Sequence, residues 1–303
     1  MTVRQYAIIG AGAVGGFYGA CLQQAGHAVH FLLRRDYPHV VTHGLKIESA
    51  DGDFALPTVN AYAKPEAMPV CDVVIVALKA TRNVLLSQLL PPLLGPQTVV
   101  LLLQNGLNAE IQIANQFPET QILGGLCFIC ANKTGPGQIR HLDYKSITIA
   151  AYGDAYKPQG VTPAMTAIAE DFQQAGVPIQ LAEDLLQARW QKLVWNIPFN
   201  GLSVVLDAMT DAMMTNPATR TLATTLMQEV QQGAAACDRN ISDAFVQRML
   251  SHTEQMKPYR TSMKLDYDAK RPLEVEAILG EPLRLAQTFG ASLPRIEMLY
   301  QQL

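Results

Sequence analysis

The stretch Gln5-Tyr6-Ala7-Ile8-Ile9-Gly10-Ala11-Gly12-Ala13-Val14-Gly15 decides the fold of this 303-residue chain. Tyr6 to Ile9 is a short apolar run that reads as a buried strand, and the amphipathic stretch reaching Ala25 reads as the helix that follows. Between them the glycines stand in the order G-x-G-x-x-G, each with its own physical task. Gly10 permits a tight turn, Gly12 lets the backbone approach a pyrophosphate, and Gly15 allows close helix packing. The helix N-terminus offers free N–H groups to an anion. Gly10, Ala11, Gly12, Ala13, Val14 and Gly15 are therefore the candidate dinucleotide-binding residues. A glycine-rich turn without a ligand is the alternative, but strand, glycines, helix and second strand all arrive in order, which favours the cofactor.

The second strand, Ala28 to Leu33, ends at Arg34-Arg35, where a site for NAD or FAD commonly places Asp or Glu on the ribose hydroxyls. A guanidinium favours a 2′-phosphate instead, so NADP (NADPH) is expected over NAD. Arg34 stands immediately after the strand and is the candidate for that contact. Arg35 is the weaker choice, Asp36 lies too far past the strand end to be the preferred acid, and two solvated loop arginines are the bland alternative.

Short β-rich runs alternate with amphipathic stretches through the first half of the chain, the pattern of a parallel sheet covered by helices. Further strands are expected near Val73 to Leu78, Thr98 to Leu103 and Ile122 to Ile129. Gly44-Leu45-Lys46-Ile47 and Phe54-Ala55-Leu56, separated by Asp51-Gly52-Asp53, look like a hairpin insert. After Gly135-Pro136-Gly137, the runs Gln138 to Leu142 and Ile147 to Ala150 look like antiparallel additions, which would make the sheet mixed at its edge. Helical periodicity dominates from Asp184 onward. Helices are expected from about Asp184 through the 200s, at Asn216 to Asp238, Ser242 to Glu254 and Pro272 to Thr288, and from Leu293 to the end. The chain thus reads as an α/β Rossmann-type dinucleotide-binding domain over residues 1–183 and an all-α domain over 184–303, each large enough for its own core.

In the helical half, Lys192, Asn196 and Asn200 recur at spacings of four and share one helix face. Two amides and an ammonium within an otherwise apolar helix are costly to bury unless they bind something. A polar stripe facing solvent or the other domain is the competing explanation, and for this helix alone the two stand about level. The nucleotide fold tips the balance. A hydride acceptor needs a proton donor near the oxygen where negative charge develops, a role a positioned lysine can fill. Pro198 is expected to weaken or kink the helix near Val194.

These residues together resemble the ketopantoate reductase family over essentially the whole chain. The resemblance is carried by the Gly10 to Gly15 loop, Arg34, Leu78-Lys79, Gln104-Asn105-Gly106, Lys192-x-x-x-Asn196-x-x-x-Asn200, Thr261-Ser262-Met263 and Lys270-Arg271-Pro272-Leu273-Glu274. It implies NADPH-dependent reduction of a 2-oxo acid, 2-dehydropantoate, to pantoate for coenzyme A synthesis, and a C-terminal domain like that of 6-phosphogluconate dehydrogenase. By the same resemblance Lys192 is the general acid. Glu274 supports Lys192 and lies near the nicotinamide ribose, while Asn196 and Asn200 bind the hydroxyl end of the substrate. Ser262 helps hold its carboxylate, and Lys79 and Asn105 serve the cofactor or the closing cleft. Pro272, as a first-turn residue, would put Glu274 at a helix N-terminus, where the dipole stabilises a carboxylate. The sequence departs from the family where Gly201-Leu202-Ser203 follows Asn200 and Thr210 lies near the position of a further asparagine. Another branched 2-oxo acid therefore stays open as substrate. Other readings are a 3-hydroxyacid-class dehydrogenase, opposed by Asn200, Asn105 and the Ser262 to Glu274 segment, and a non-catalytic NADPH-binding regulator, which need not keep Lys192 and Glu274.

The remaining composition narrows the partners. Hydrophobic residues make up 49% and charged residues 16%, the net charge is −3, and residues 1–183 carry 11 basic and 13 acidic side chains against 12 and 13 beyond. No basic asymmetry exists to attract nucleic acid or an anionic membrane. The apolar runs are too short to cross a bilayer, and Arg4 leads straight into the first strand without a secretory signal, so the cytoplasm is expected. The five cysteines form an odd, scattered set suited to a reducing compartment. Cys127 and Cys130 are spaced as C-x-x-C but lie within a strand rather than at a helix N-terminus, which points to a structural role. His27 with His30 and His39 with His43 lack a third ligand nearby, so no metal is expected. Met209, Met213 and Met214 suit the helical core, an interdomain surface or the contact of a homodimer.

Overall fold

The structure is a computed structural model and describes residues 4–303. It divides into two compact units. One comprises the residues up to Gln104 together with Ala109–Leu185, the other Asn105–Asn108 with Leu186–Leu303.

The first unit runs β1 (Gln5–Ile9), α1 (Ala13–Gln24), β2 (Ala28–Leu32), α2 (Tyr37–His43), β3 (Leu45–Ser49), β4 (Phe54–Leu56), β5 (Asn60–Tyr62), β6 (Val73–Val76), α3 (Leu86–Leu89), β7 (Val99–Leu102), α4 (Ala109–Gln116), β8 (Gln121–Gly135), β9 (Gln138–Ala151), α5 (Pro163–Gln174) and β10 (Ile179–Ala182). Among the described residues these form a ten-stranded sheet in the order β4-β3-β9-β8-β7-β6-β1-β2-β5, with β10 also on β9. Pairing from β5 through β8 is parallel, whereas β8 with β9 and β3 with β4 are antiparallel. The sheet is thus mixed toward one edge, as the Gly135-Pro136-Gly137 turn suggested. Strand order reverses at β1, flanked by β2 and β6, which is the switch point where an open α/β sheet binds its ligand.

Both faces of the central strands are buried, which is why Val73–Val76 and Val99–Leu102 are continuously apolar. Tyr6 and Ile8 join a core with α1 and α5, while Ala7 and Ile9 join a second core with α3 and α4. The alternation is the period of two that a strand imposes. Residues 138–142 and 147–150, expected as separate strands, lie in one continuous β9. Ile129 faces Lys145 but Cys130 faces Asp143, leaving Tyr144 as an extra residue at φ 52°. That bulge breaks the alternation and makes one strand read as two. The edge strand β5 was not foreseen, being three residues long and half polar.

The second unit contains α6 (Leu185–Val205, of which Leu186 onward belongs to this unit), α7 (Thr210–Thr215), α8 (Pro217–Ala236), α9 (Asp243–Gln255), α10 (Ser262–Asp268), a π-helical turn at Glu276–Gly280, α11 (Glu281–Thr288) and α12 (Pro294–Gln301). Local chemistry starts several of them: Asn216 Oδ1 accepts from Ala218 N and Thr219 N, and Ser242 Oγ accepts from Phe245 N. α6 runs through Pro198 without a break. The expectation for Pro272 is corrected. α10, which the sequence did not reveal, closes through Lys270 at φ 51°, with Lys270 N donating to Tyr267 O and Arg271 N to Asp266 O. This is a Schellman closure, after which proline commonly follows. Pro272 therefore marks the end of α10, and the next helical turn begins only at Val275. Among the described residues no helix is long and apolar enough to cross a membrane.

One buried ionic knot ties the start of the sheet to α5. Tyr6, fully buried, donates its hydroxyl to Asp171 Oδ2 at 2.6 Å, and Arg4 donates to both carboxylate oxygens at 2.7 and 2.8 Å. Tyr6→Phe should lower the unfolding free energy by about 1.5–3 kcal/mol, read by denaturant titration, because the lost bond is to a buried charge.

Candidate functional site

In the first unit the loop after β1 has the shape of an anion cradle. Gly10 adopts φ 96°, and a Cβ there would lie 2.6 Å from Leu78 N and 2.7 Å from Ala77 C, at the end of β6. At Gly15 a Cβ would meet Gly10 O at 2.5 Å and the Ala77 Cβ at 2.9 Å. These two glycines are demanded by the protein itself. Gly12 differs: a Cβ built there meets no heavy atom within 4 Å. The space above Gly12 opens at the N-terminus of α1, whose first turn carries no acidic residue and no side-chain cap. Gly16 N is the donor that reaches Gly12 O, so the N–H groups of Ala13, Val14 and Gly15 precede the first intrahelical bond. Ala11 and Gly12 are half-buried beside them. Open space, N–H groups ahead of the first intrahelical bond and the positive end of a helix dipole together fit a pyrophosphate.

Arg34 follows β2 in an exposed bend, with Arg35 exposed beside it. Asp36 is engaged elsewhere, accepting from Gly137 N at 3.1 Å and pairing with Lys133. The acid that could compete for ribose hydroxyls is thereby committed to the β8–β9 turn. Lys79 is exposed just after β6, at the start of a 3-10 turn over Ala80–Leu85. Its segment is held by Gln104, whose Nε2 donates to Leu78 O at 2.8 Å and Asn83 Oδ1 at 2.6 Å. Gln104 was quoted in the motif without a role. Its burial at 3% exposure is what the sequence did not show.

In the second unit, α6 presents Lys192 half-buried and, on succeeding turns, Asn196 and Asn200 buried. The two amides are not solvated polar residues, since Asn196 is 3% and Asn200 1% exposed. Asn196 Nδ2 donates to Asn105 Oδ1 at 3.3 Å. Asn200 Oδ1 accepts from Met263 N at 3.3 Å and Ser262 Oγ at 3.4 Å. A backbone N–H can only donate, so the Asn200 amide is fixed in orientation and its Nδ2 donors are turned away from α10. Of the sequence-derived candidates, the structure thus brings Asn105 to Asn196 and Ser262 to Asn200. Glu274 is buried immediately before the helical turn that opens at Val275, and its carbonyl accepts from Ile278 N at 3.0 Å.

Two departures from the family pattern have structural roles. Ser203 Oγ donates to Asn200 O at 2.9 Å and lies 2.7 Å from Thr261 Oγ1, which in turn caps α10 by accepting from Lys264 N at 3.2 Å. Both hydroxyl residues are fully buried and rivet α6 to the residue preceding Ser262. Thr210, also fully buried, exchanges bonds with the Tyr259 backbone, its N donating to Tyr259 O at 3.2 Å and its Oγ1 accepting from Tyr259 N at 3.1 Å. Sequence reasoning assigned neither Ser203 nor Thr261. The available signal was a serine three residues after Asn200 in an otherwise apolar helix.

Comparisons with known proteins agree across the whole chain. Residues 6–154 match the family described as ketopantoate reductase PanE/ApbA, and residues 184–303 match its C-terminal family. A 2-dehydropantoate 2-reductase of Nostoc sp. is 58% identical over all of this chain and 95% of its own. The crystal structure of a 2-dehydropantoate 2-reductase from Geobacter metallireducens superposes with a TM-score of 0.94 at 40% identity, covering 98% of each chain. A D-mandelate dehydrogenase solved with NADH and anilino(oxo)acetate shares the fold, with a TM-score of 0.86 at 22% identity over 98% of this chain and 96% of that one. With an anion cradle at the end of β1, a lysine and two buried amides along α6, and these matches to both halves, the chain belongs to the ketopantoate reductase family.

Proposed function

We propose that this chain is an NADPH-dependent 2-dehydropantoate 2-reductase that converts ketopantoate to pantoate. The observation that carries the proposal is the pair of buried, oriented amides at Asn196 and Asn200 one and two turns beyond Lys192, in a chain 58% identical to a named reductase of this substrate. Bound NADPH supplies the hydride that reduces the 2-keto carbon. The protein's part is to hold the acid, meet the growing charge and exclude water.

Lys192 donates a proton to the carbonyl oxygen as negative charge develops there, and Glu274 supports the ammonium. The Nδ2 donors of Asn200, on the side away from α10, suit the oxygen acceptors of a hydroxylated acid, Asn196 binds at the same end, and Ser262 helps hold the carboxylate. Asn105 serves both substrate and cofactor, a role supported by its bond to Asn196. Gly10, Ala11, Gly12, Ala13, Val14 and Gly15 take the pyrophosphate, Arg34 the 2′-phosphate and Lys79 a further cofactor contact. A second substrate is favoured by one observation. Thr210, near where the family often has a further asparagine, is committed to the Tyr259 backbone, so another branched 2-oxo acid is the alternative, decided by NADPH oxidation against a panel of such acids.

Lys192→Ala should reduce turnover more than ~100-fold with NADPH binding intact, by the usual contribution of a general acid; undiminished steady-state turnover removes Lys192 from the mechanism. Arg34→Ala should weaken NADPH roughly 10- to 100-fold, the value of a charge-assisted contact, while leaving NADH affinity nearly unchanged. Equal weakening in fluorescence titrations argues against a 2′-phosphate contact. Gly12→Ala should fold with stability unchanged or raised by up to about 1 kcal/mol, yet lose dinucleotide affinity, whereas Gly15→Ala should lose about 1–3 kcal/mol of stability. Thermal denaturation beside binding assays separates the two.

A further inference from the structure

The π-helical turn at Glu276–Gly280 stands two residues after Glu274 and is a departure from α-helical bonding that needs a cause. Its register is set by Glu281 N, which donates to Glu276 O five residues back rather than to Ala277 O. Continued by one residue, that register requires an N–H at position 282 for the Ala277 carbonyl. Position 282 is proline, which has none. A buried carbonyl cannot stay unpaired without cost, and Ala277 is 8% exposed. Its donor comes from outside the helix: Leu107 N reaches Ala277 O at 2.9 Å.

That bond fastens the loop Asn105–Asn108, which follows β7 in the chain but belongs to the helical unit. The approach is close enough to dictate the neighbouring residue. Gly106 adopts φ 85°, and a Cβ on it would fall 2.0 Å from Ala277 O. One residue earlier, the Asn105 side chain accepts from Asn196. A proline that cannot donate, a carbonyl it leaves without a helical donor, the backbone N–H that meets that carbonyl and the glycine beside it thus lead to a candidate substrate residue.

We propose that Pro282 is a positioning residue for substrate binding. By denying the Ala277 carbonyl a helical donor, it reserves that carbonyl for Leu107 N–H, docks the Asn105–Asn108 loop on the π-turn and so sets the Asn105–Asn196 pair. Pro282 touches neither substrate nor cofactor in this role. The claim about substrate rests on the reductase assignment above, whereas the claim about docking does not.

The test uses the full-length protein with Pro282→Ala, which restores an N–H able to compete for the Ala277 carbonyl, and Gly106→Ala, which blocks the docking from the other side. Hydrogen exchange at the Leu107 amide is followed by NMR, and ketopantoate reduction is followed by NADPH oxidation. In the wild type the Leu107 amide is protected. In each variant its exchange accelerates about fivefold or more, the value of one hydrogen bond, and KM for ketopantoate rises by a similar factor. In Pro282→Ala, kcat at saturation and the unfolding midpoint stay near wild type, a split that a merely structural loss would not produce. Lys192→Ala, by contrast, keeps the Leu107 amide protected while losing turnover. A Leu107 amide that exchanges freely in the wild type overturns the docking, and so does unchanged exchange in both variants. Accelerated exchange with unchanged KM overturns the positioning role. If the wild type reduces no ketopantoate, the reductase assignment fails, and the exchange data still report on the docking.

Discussion

Buried polar groups must be paired, and in the helical unit this one requirement organises everything near the candidate site. Asn196 and Asn200 lie inside an otherwise apolar stretch of α6, so each must find a partner or lose more than an ordinary hydrogen bond contributes. Asn196 finds Asn105, and Asn200 finds the first residues of α10. In doing so the amides fix which polar groups remain at the candidate site. Asn200 has its oxygen held by a backbone donor, which leaves only donors to offer. Orientation that the ligand would otherwise have to impose is already built into the fold.

The same requirement spreads outward to residues whose hydroxyls are bonded within the protein. Ser203 and Thr261 form a two-hydroxyl bridge that holds the Asn200 turn against the α10 cap. Thr210 binds the Tyr259 backbone just upstream of it. Where the family often has a further asparagine, this chain has a threonine whose polar atoms hold the backbone. The π-turn belongs to the same logic, because a carbonyl without a helical donor has to be met from elsewhere, and the 105–108 loop meets it. In the first unit the polar ledger is simpler. Gly10 and Gly15 make room for backbone, Gly12 leaves open space, and Asp36 is held by Gly137 and Lys133.

How far a residue could be read from sequence depended on the range of the interaction that defines it. The glycine loop, the strands at Val73 and Thr98 and the face shared by Lys192, Asn196 and Asn200 follow from spacings within one element, and these were legible. Pro272 was misread because a proline is equally at home in a first helical turn and just past a helix end. The choice was made by Lys270 and Arg271 closing α10, a helix too short to show a periodicity. β9 was read as two strands because its bulge at Tyr144 interrupts the alternation, and only the register with β8 shows that the strand continues through it.

What the sequence by itself determined is therefore the class of each half and the identity of the polar residues along α6, because strand and helix periods and a glycine turn are local properties of the chain. Only the tertiary structure decided which way the Asn200 amide points, that Asp36 is unavailable, that Ser203 and Thr261 are rivets, and that the residues after β7 pack with the helices. Each of these depends on atoms brought together from positions far apart in sequence. A hydrogen bond between such atoms leaves no periodic trace in either partner's neighbourhood.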